Sequence, residues 1–449
     1  IAGAGLSGLS AAYELSLRGF EVTILEARDR IGGRIFTLRE PFTDGQYIET
    51  GGEILGDGYK KFLSYADKFG IKYSEIPNET QTGGSVSSLQ KGIGTSVFMQ
   101  GKLYPAGSDF PNPYNLAGEE AKNLPPNYLV KKLLEMAAEV RQNPAKLADY
   151  DKISLADALR QKGVSDQMIK LMNISLNYNS IETVSVGGIL WESRRRGNIG
   201  TKAVKIDSGN DALPKMLAEK SLQNGVKIIK NAKITQINHS ANSVKISFTD
   251  KSGKNQMVEG DKLICTLPFT ALRKISFSPS LPEGKAKAVN ELAYTQITKV
   301  FLQGKREEWD KLKLGSMIWT DKPCERVFNA AGKEGDLRGI VKVWTEGEGA
   351  KYPDSLSDKK RIDWAKNELK KILPKMKFDK TATKSWGNDE FAGGSYAHFT
   401  RNQLTELQPY LKTQIGAIHF AGEHTAEKAP GMEGTLESAE RVVAEITKI

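Results

Sequence analysis

Cysteine and histidine are scarce in this chain of 449 residues, which has two of the first, Cys265 and Cys324, and four of the second. Two thiols cannot build the disulfide framework that staples a small secreted domain, and no cysteine or histidine pair has metal-ligand spacing, so no metal is expected. Cys265 stands in the apolar run "LICTLP" and reads as a buried thiol. Long hydrophobic runs are missing too. Nothing approaches the ~18 apolar residues of a membrane helix, and no membrane span is expected. Acidic residues are the minority, 54 against 64 basic ones, for a net charge of +10. A basic excess suits nucleic acid or an anionic surface when it is concentrated. Here the lysines alternate with acids, as in "DKKRIDWAKNELKKIL", which is the pattern of a solvated helix face, and no nucleic-acid partner is expected. The one compact cluster, Arg194, Arg195 and Arg196, reads as a solvated surface turn, with anion binding as the alternative. Internal repeats are absent.

What is present is a globular composition, 39% hydrophobic and 26% charged, over a length that calls for more than one core. The chain opens on Gly3-Ala4-Gly5-Leu6-Ser7-Gly8. Ile1 and Ala2 read as the end of a strand. "LSGLSAAYELSLR" follows as a helix with Leu6, Leu9, Ala12 and Leu15 on one face, stopped at Gly19. "FEVTILE" reads as a second buried strand with Glu26 at its carboxyl end. This strand–helix–strand context is what the GxGxxG spacing requires in order to bind a dinucleotide. Gly3 makes the tight turn, Gly5 lets the backbone approach a pyrophosphate, and Gly8 lets helix and sheet pack closely. The helix amino terminus at Leu6 and Ser7 faces the phosphates, and Glu26 accepts from a ribose. The motif alone does not separate NAD from FAD. "EARDRIGGR" does: a second glycine pair, Gly32 and Gly33, follows the second strand, and Arg34 can neutralise a pyrophosphate through paired donors.

With these residues the sequence resembles the flavin-dependent amine oxidases, the family of monoamine, polyamine and L-amino-acid oxidases, and the resemblance runs along nearly the whole chain. It implies a fold of mixed α/β class, α+β overall. A Rossmann-like FAD-binding domain is expected from residues 1–58, 201–275 and 386–449. A discontinuous substrate-binding domain of mixed sheet and helices is expected from 59–200 and 276–385, the first part largely a helical cap. In "YIETGGEIL" the resemblance implies that Gly51, Gly52, Glu53 and Ile54 pack against the flavin. Ala27 and Arg28 lie beside the nucleotide, and Ile234 meets the adenine through its backbone. Trp386 packs behind the site. Gly422 and Glu423, at the end of "AIHFAGE", approach the ribityl or pyrophosphate region. Gly431, Met432 and Thr435 open a last helix whose amino terminus points at the flavin. Two residues are implied in catalysis: Lys299, holding a water beside flavin N5, and Tyr396, a wall of the aromatic cage that orients the amine. Read without the resemblance, Lys299 in the β-branched run "TQITKVFL" either faces solvent by alternation or is functional.

Three departures from the family pattern carry expectations of their own. Ser395 stands where some members have a cysteine joined to the flavin, so FAD is expected to be bound non-covalently. Gly431 stands where many members have a second aromatic wall, so the cage is expected to be open there. Ile54 replaces the arginine that clamps a substrate carboxylate in the venom L-amino-acid oxidases, and Glu53 beside it either favours a cationic substrate or contacts the flavin. The reading is an FAD-dependent amine oxidase taking a small amine and O2 to an imine and hydrogen peroxide. A desaturase or porphyrinogen-type oxidase and a non-catalytic FAD protein are its alternatives. A homodimer is compatible with the reading. Ile1 reads as mid-strand, as if the amino terminus were trimmed. The compartment expected is the cytoplasm, with a secreted or periplasmic one left open.

Locally, "SVFMQGKLY" reads as a hairpin turning at Gln100-Gly101. Residues 77–127 read as loop, residues 128–192 as cap helices, and residues 276–385 as a second sheet-bearing unit.

Overall fold

The computed structural model describes residues 1–76, 94–109, 112–174, 176–333 and 335–447. At its centre is a parallel sheet built from distant parts of the chain. Thr23–Glu26 pairs with Lys227–Lys230, and Leu263–Cys265 pairs with Ile418–Phe420, both in parallel. The first residues join the two pairs: Ala2 bridges Leu25 on one side and Cys265 on the other. Ala2 thus forms the expected strand end between the two pairs, and Gly3 then turns the chain with φ +100°.

The helix Leu6–Ser16 begins at that turn, and Gly19, at φ +81°, ends it as expected. Its predicted face is buried, but so are Ser10, Ala11 and Tyr13. An amphipathic stripe understates this burial because two other helices, Ala212–Gln223 and Gly431–Thr447, share its apolar cluster. The helix Lys60–Lys68 joins the same cluster through Phe62, with Tyr65 and Phe69 packed against its edge. Residues expected in the cap thus pack beside the nucleotide loop.

Against this unit stand two others. Cap helices, among them Pro125–Gln142, Leu155–Gln161, Asp166–Asn173 and Val186–Arg196, enclose a core of Leu, Met, Ile and Val. A seven-stranded sheet runs in the order Phe378–Ser385, Ile297–Lys305, Arg338–Glu346, Arg326–Ala331, Met317–Thr320, Thr95–Met99, Lys102–Tyr104. The last two strands are the expected hairpin. Gln100 and Gly101 both have positive φ, 46° and 82°, as the tight mirror-image turn requires. The hairpin adds to the sheet through a parallel pairing with Met317–Thr320, a long-range partner that local sequence does not announce. Of the stretch read as loop, 77–93 and 110–111 lie outside the described residues. No described helix is long and apolar enough to cross a membrane.

Candidate active site

A cavity of about 420 Å³ runs from the Gly3 turn to the seven-stranded sheet. That volume lies within the ~300–1,000 Å³ typical of small-ligand pockets. Into this one cavity the fold brings all the expected cofactor-binding and catalytic residues except Gly8 and Trp386. Those two stand behind it. A Cβ on Gly8 would lie 2.0 Å from the carbonyl oxygen of Gly3, so this glycine serves close packing. Trp386 donates its indole N–H to the Thr50 carbonyl at 2.7 Å and backs Gly51.

At the opening turn, a Cβ on Gly5 would meet no atom within 4 Å, so the backbone here faces open cavity. Gly33, at φ +58°, comes from the opposite side, and a Cβ on it would stand 3.2 Å from Gly5 Cα. No side chain caps the helix that starts at Leu6. Its first amides and its dipole are thus available to an anion. Glu26 accepts from the amides of Ala4 (2.7 Å) and Arg28 (2.9 Å), pinning the turn to the strand end. Burial pushes its carboxyl up, against those two amides. Arg28 pairs with Asp389 and lies over the ring of Phe391 at 5.2 Å. Arg34 donates to the Ser395 carbonyl (2.7 Å) and to Glu423 (3.0 Å), so it enters the cavity already paired. Ile234 sits at an irregularity in its strand: it pairs with Phe248 while Gln236 pairs with Ser247, and Thr235 between them has no partner. A bulge there leaves backbone groups free of the ladder, facing the cavity. A cradle of bare backbone, an uncapped helix amino terminus and a carboxylate at the strand end fit a bound dinucleotide.

The other end of the cavity is roofed by a single face of the seven-stranded sheet. Lys299 is opposite Trp344 on the neighbouring strand, and Trp344 is opposite Arg326 on the next. Lys342, two residues from Trp344, shares that face by the period of a strand. Lys299 does not face solvent. It is 2% exposed, its Nζ lies 3.2 Å from Glu53 Oε2 and 3.4 Å from the Gly51 carbonyl, and it sits 4.3 Å from the centre of the Trp344 ring. Lys342 Nζ takes the other oxygen of Glu53 at 2.5 Å. Burial opposes ionisation of Glu53, but Lys342 and Lys299 outweigh it and hold its carboxyl below the usual range. Burial lowers Lys342 to about 8 in spite of Glu53. Of the two readings of Glu53, attraction of a cationic substrate is the weaker, since two ammonium groups already share its charge.

Tyr396 is fixed by its hydroxyl, which donates to the Asn177 carbonyl at 2.6 Å and lies 3.2 Å from Glu346. The side expected to be open beside Gly431 carries the hydroxyl of Tyr59. This glycine has φ +58°, and a Cβ on it would stand 3.2 Å from the hydroxyl of Tyr59. Tyr59, Phe328 and Trp344 are cavity walls that sequence reading missed. The arginine cluster is also different from its expected surface turn. Only Arg194 is exposed; Arg195 is buried over Trp191, and Arg196 lines the cavity. A signal existed for Lys342, a lysine inside the β-branched run "GIVKVW" like that of Lys299. For Arg196 the signal was the arginine cluster itself; none existed for Tyr59, which reaches the cavity only because its helix is docked there. Neither cysteine lines it.

The profile of the flavin containing amine oxidoreductases matches residues 6–447. The chain belongs to that family. As a member it is an oxidoreductase with FAD as cofactor. Among curated proteins this flavin amine oxidoreductase is similar to the L-amino-acid oxidase of Bungarus fasciatus, at 27% identity over 98% of the chain and 84% of that protein. It is 28% identical to the L-amino-acid oxidase of Gloydius blomhoffii over 100% of the chain and 88% of that protein. Among solved structures it is similar to a putrescine oxidase bound to putrescine, at TM-score 0.79 and 21% identity over 100% of this chain and 98% of the other. Cyclohexylamine oxidase from Brevibacterium oxydans IH-35A has the same TM-score and coverage at 18% identity. Both share the mixed α/β fold.

Proposed function

We propose that this flavin amine oxidoreductase oxidises a primary or secondary amine, whether a monoamine, a polyamine or an L-amino acid. The observation that supports this reading is the continuity of the site. The same cavity that starts at the dinucleotide cradle of Gly3–Ser7 ends at Lys299 and Tyr396. A cofactor held by the cradle at one end therefore meets a substrate held at the other. FAD, when bound, supplies the two-electron acceptor and passes the electrons on to O2, yielding hydrogen peroxide. The substrate loses a hydride from its α-carbon and becomes an imine, which water hydrolyses to an aldehyde or keto product with release of ammonia or an amine.

The chain's own contribution is orientation and electrostatics. Tyr396 is tied through its hydroxyl, so its ring is a fixed wall against which the amine aligns. Lys299 is held by Glu53 and Gly51 with its ammonium facing the cavity, where it positions a water. The amino termini of the helices Leu6–Ser16 and Gly431–Thr447 favour negative charge on the cofactor's phosphates and ring. With a serine at 395 and no cysteine on the cavity wall, FAD is held non-covalently. The test is bleaching of the flavin absorbance under nitrogen by a panel of monoamines, polyamines and L-amino acids, followed by peroxide release in air. Bleaching by at least one class is expected. Bleaching by none of them, with FAD bound, would overturn the reading.

A further inference from the structure

The substrate end of the cavity holds more positive charge than its carboxylates balance. Lys299 and Lys342 share Glu53, and Arg326 pairs with Glu346 while donating to Asn177 at 2.9 Å. Arg195 and Arg196 share Glu192 alone, and Arg195 uses its remaining hydrogen bond on the Ala429 carbonyl. Arg196 is the cation least engaged by protein. Its only ion pair runs from Nε to Glu192 at 3.2 Å. Among the described residues its Nη1 and Nη2, the two terminal donors of the guanidinium, have no protein acceptor. Tyr59, Tyr178 and Tyr396 lie near its side chain, 39% of its surface is accessible, and it lines the cavity. It closes the helix Val186–Arg196, whose carboxyl end favours a cation. Burial opposes the charge, but the Glu192 carboxylate beside it favours it.

A guanidinium with two parallel donors free offers the fork that binds a carboxylate in bidentate fashion. Its neighbour Tyr396 is the ring against which the reacting carbon is aligned in the reading above. An α-carboxylate is one bond from that carbon. We propose that Arg196 clamps the α-carboxylate of the substrate, so that the amine this oxidase takes is an amino acid; the proposal rests on the amine-oxidase reading and names its substrate class. The clamp comes from the cap helix, and it stands in place of the arginine that is absent at Ile54.

The test separates the clamp from the reaction. Wild type, Arg196→Met, Arg196→Lys and the exposed neighbour Arg194→Met are compared as FAD-loaded proteins, with FAD content and far-UV circular dichroism measured first. Phenylacetate, a carboxylate without an amine, is titrated against the flavin spectrum. Its Kd should weaken at least about tenfold in Arg196→Met, as expected for losing a charge-assisted pair, less in Arg196→Lys, and not at all in Arg194→Met. Anaerobic reduction by L-phenylalanine should exceed that by its neutral amide in wild type, and this ratio should fall at least about tenfold in Arg196→Met. Equal phenylacetate affinity in wild type and Arg196→Met would overturn the clamp, as would faster reduction of wild type by the amide. If no amine reduces the flavin, the oxidase reading fails, and the phenylacetate titration still decides whether Arg196 binds a carboxylate.

Discussion

Replacing Glu53 by glutamine removes the carboxylate that the ammonium groups of Lys299 and Lys342 both contact, at 3.2 and 2.5 Å. Both lysines are at most 2% exposed, so neither can turn to water. Removing one partner of a buried ion pair costs about 3–5 kcal/mol, chiefly because a charge is left uncompensated. The protein can relieve part of this strain by deprotonating one of the two lysines. Glu53→Gln should therefore lose about 3–5 kcal/mol of unfolding free energy at pH 7. The loss should shrink as the pH is raised to about 8 and change little above it. A lysine with a depressed folded pKa binds fewer protons folded than unfolded, so stability rises with pH across that window. Lys342, already lowered to about 8, is the lysine that gives up its proton. Glu53→Gln combined with Lys342→Met should recover much of the loss. The assay is urea unfolding with excess FAD at pH 7 and pH 10. A deficit under about 1 kcal/mol at pH 7, or a double variant no more stable than Glu53→Gln, would refute the account.

Glu325 gives a pH effect of opposite sign. Burial pushes its carboxyl up to about 8, so the stability it contributes is present below its unfolded pKa and is lost as pH rises through about 8. The melting temperature should fall from pH 6 to pH 9, and it should fall less in Glu325→Gln; an unchanged slope would show that this carboxyl does not titrate there. Gly431→Tyr should lower FAD content and cost roughly 1–3 kcal/mol, because a side chain at φ +58° is strained and Tyr59 occupies its space; full FAD occupancy would show that the site has room after all. Acid precipitation should release intact FAD into the supernatant, and flavin that stays with the pellet would contradict non-covalent binding. Lys299→Met should slow reoxidation by O2 more than it weakens substrate binding, as stopped-flow absorbance would report.

The dinucleotide end of the site was legible from sequence because its chemistry is local. Gly3, Gly5, Gly8 and Glu26 lie within one strand–helix–strand unit, and each is dictated by backbone geometry that short spacings encode. The Gln100-Gly101 turn was legible for the same reason. The substrate end was legible only through family resemblance, and there it was incomplete. Lys299, Trp344 and Arg326 form a row because three antiparallel strands fall into register, and register depends on which distant strands pair. Tyr59 sits in unremarkable helical sequence, and its hydroxyl stands beside Gly431. The arginine run at 194–196 shows the limit most directly. By sequence it is three like charges beside a glycine. Docking of the cap helix buries Arg195, turns Arg196 into the cavity and leaves only Arg194 in water. Sequence by itself therefore determined the turn, helix start and strand end of the cradle, since these follow from local backbone demands, while the class of fold came through the resemblance. Tertiary structure alone decided which charges meet beneath the sheet, because burial and pairing belong to the packed chain and not to any segment of it.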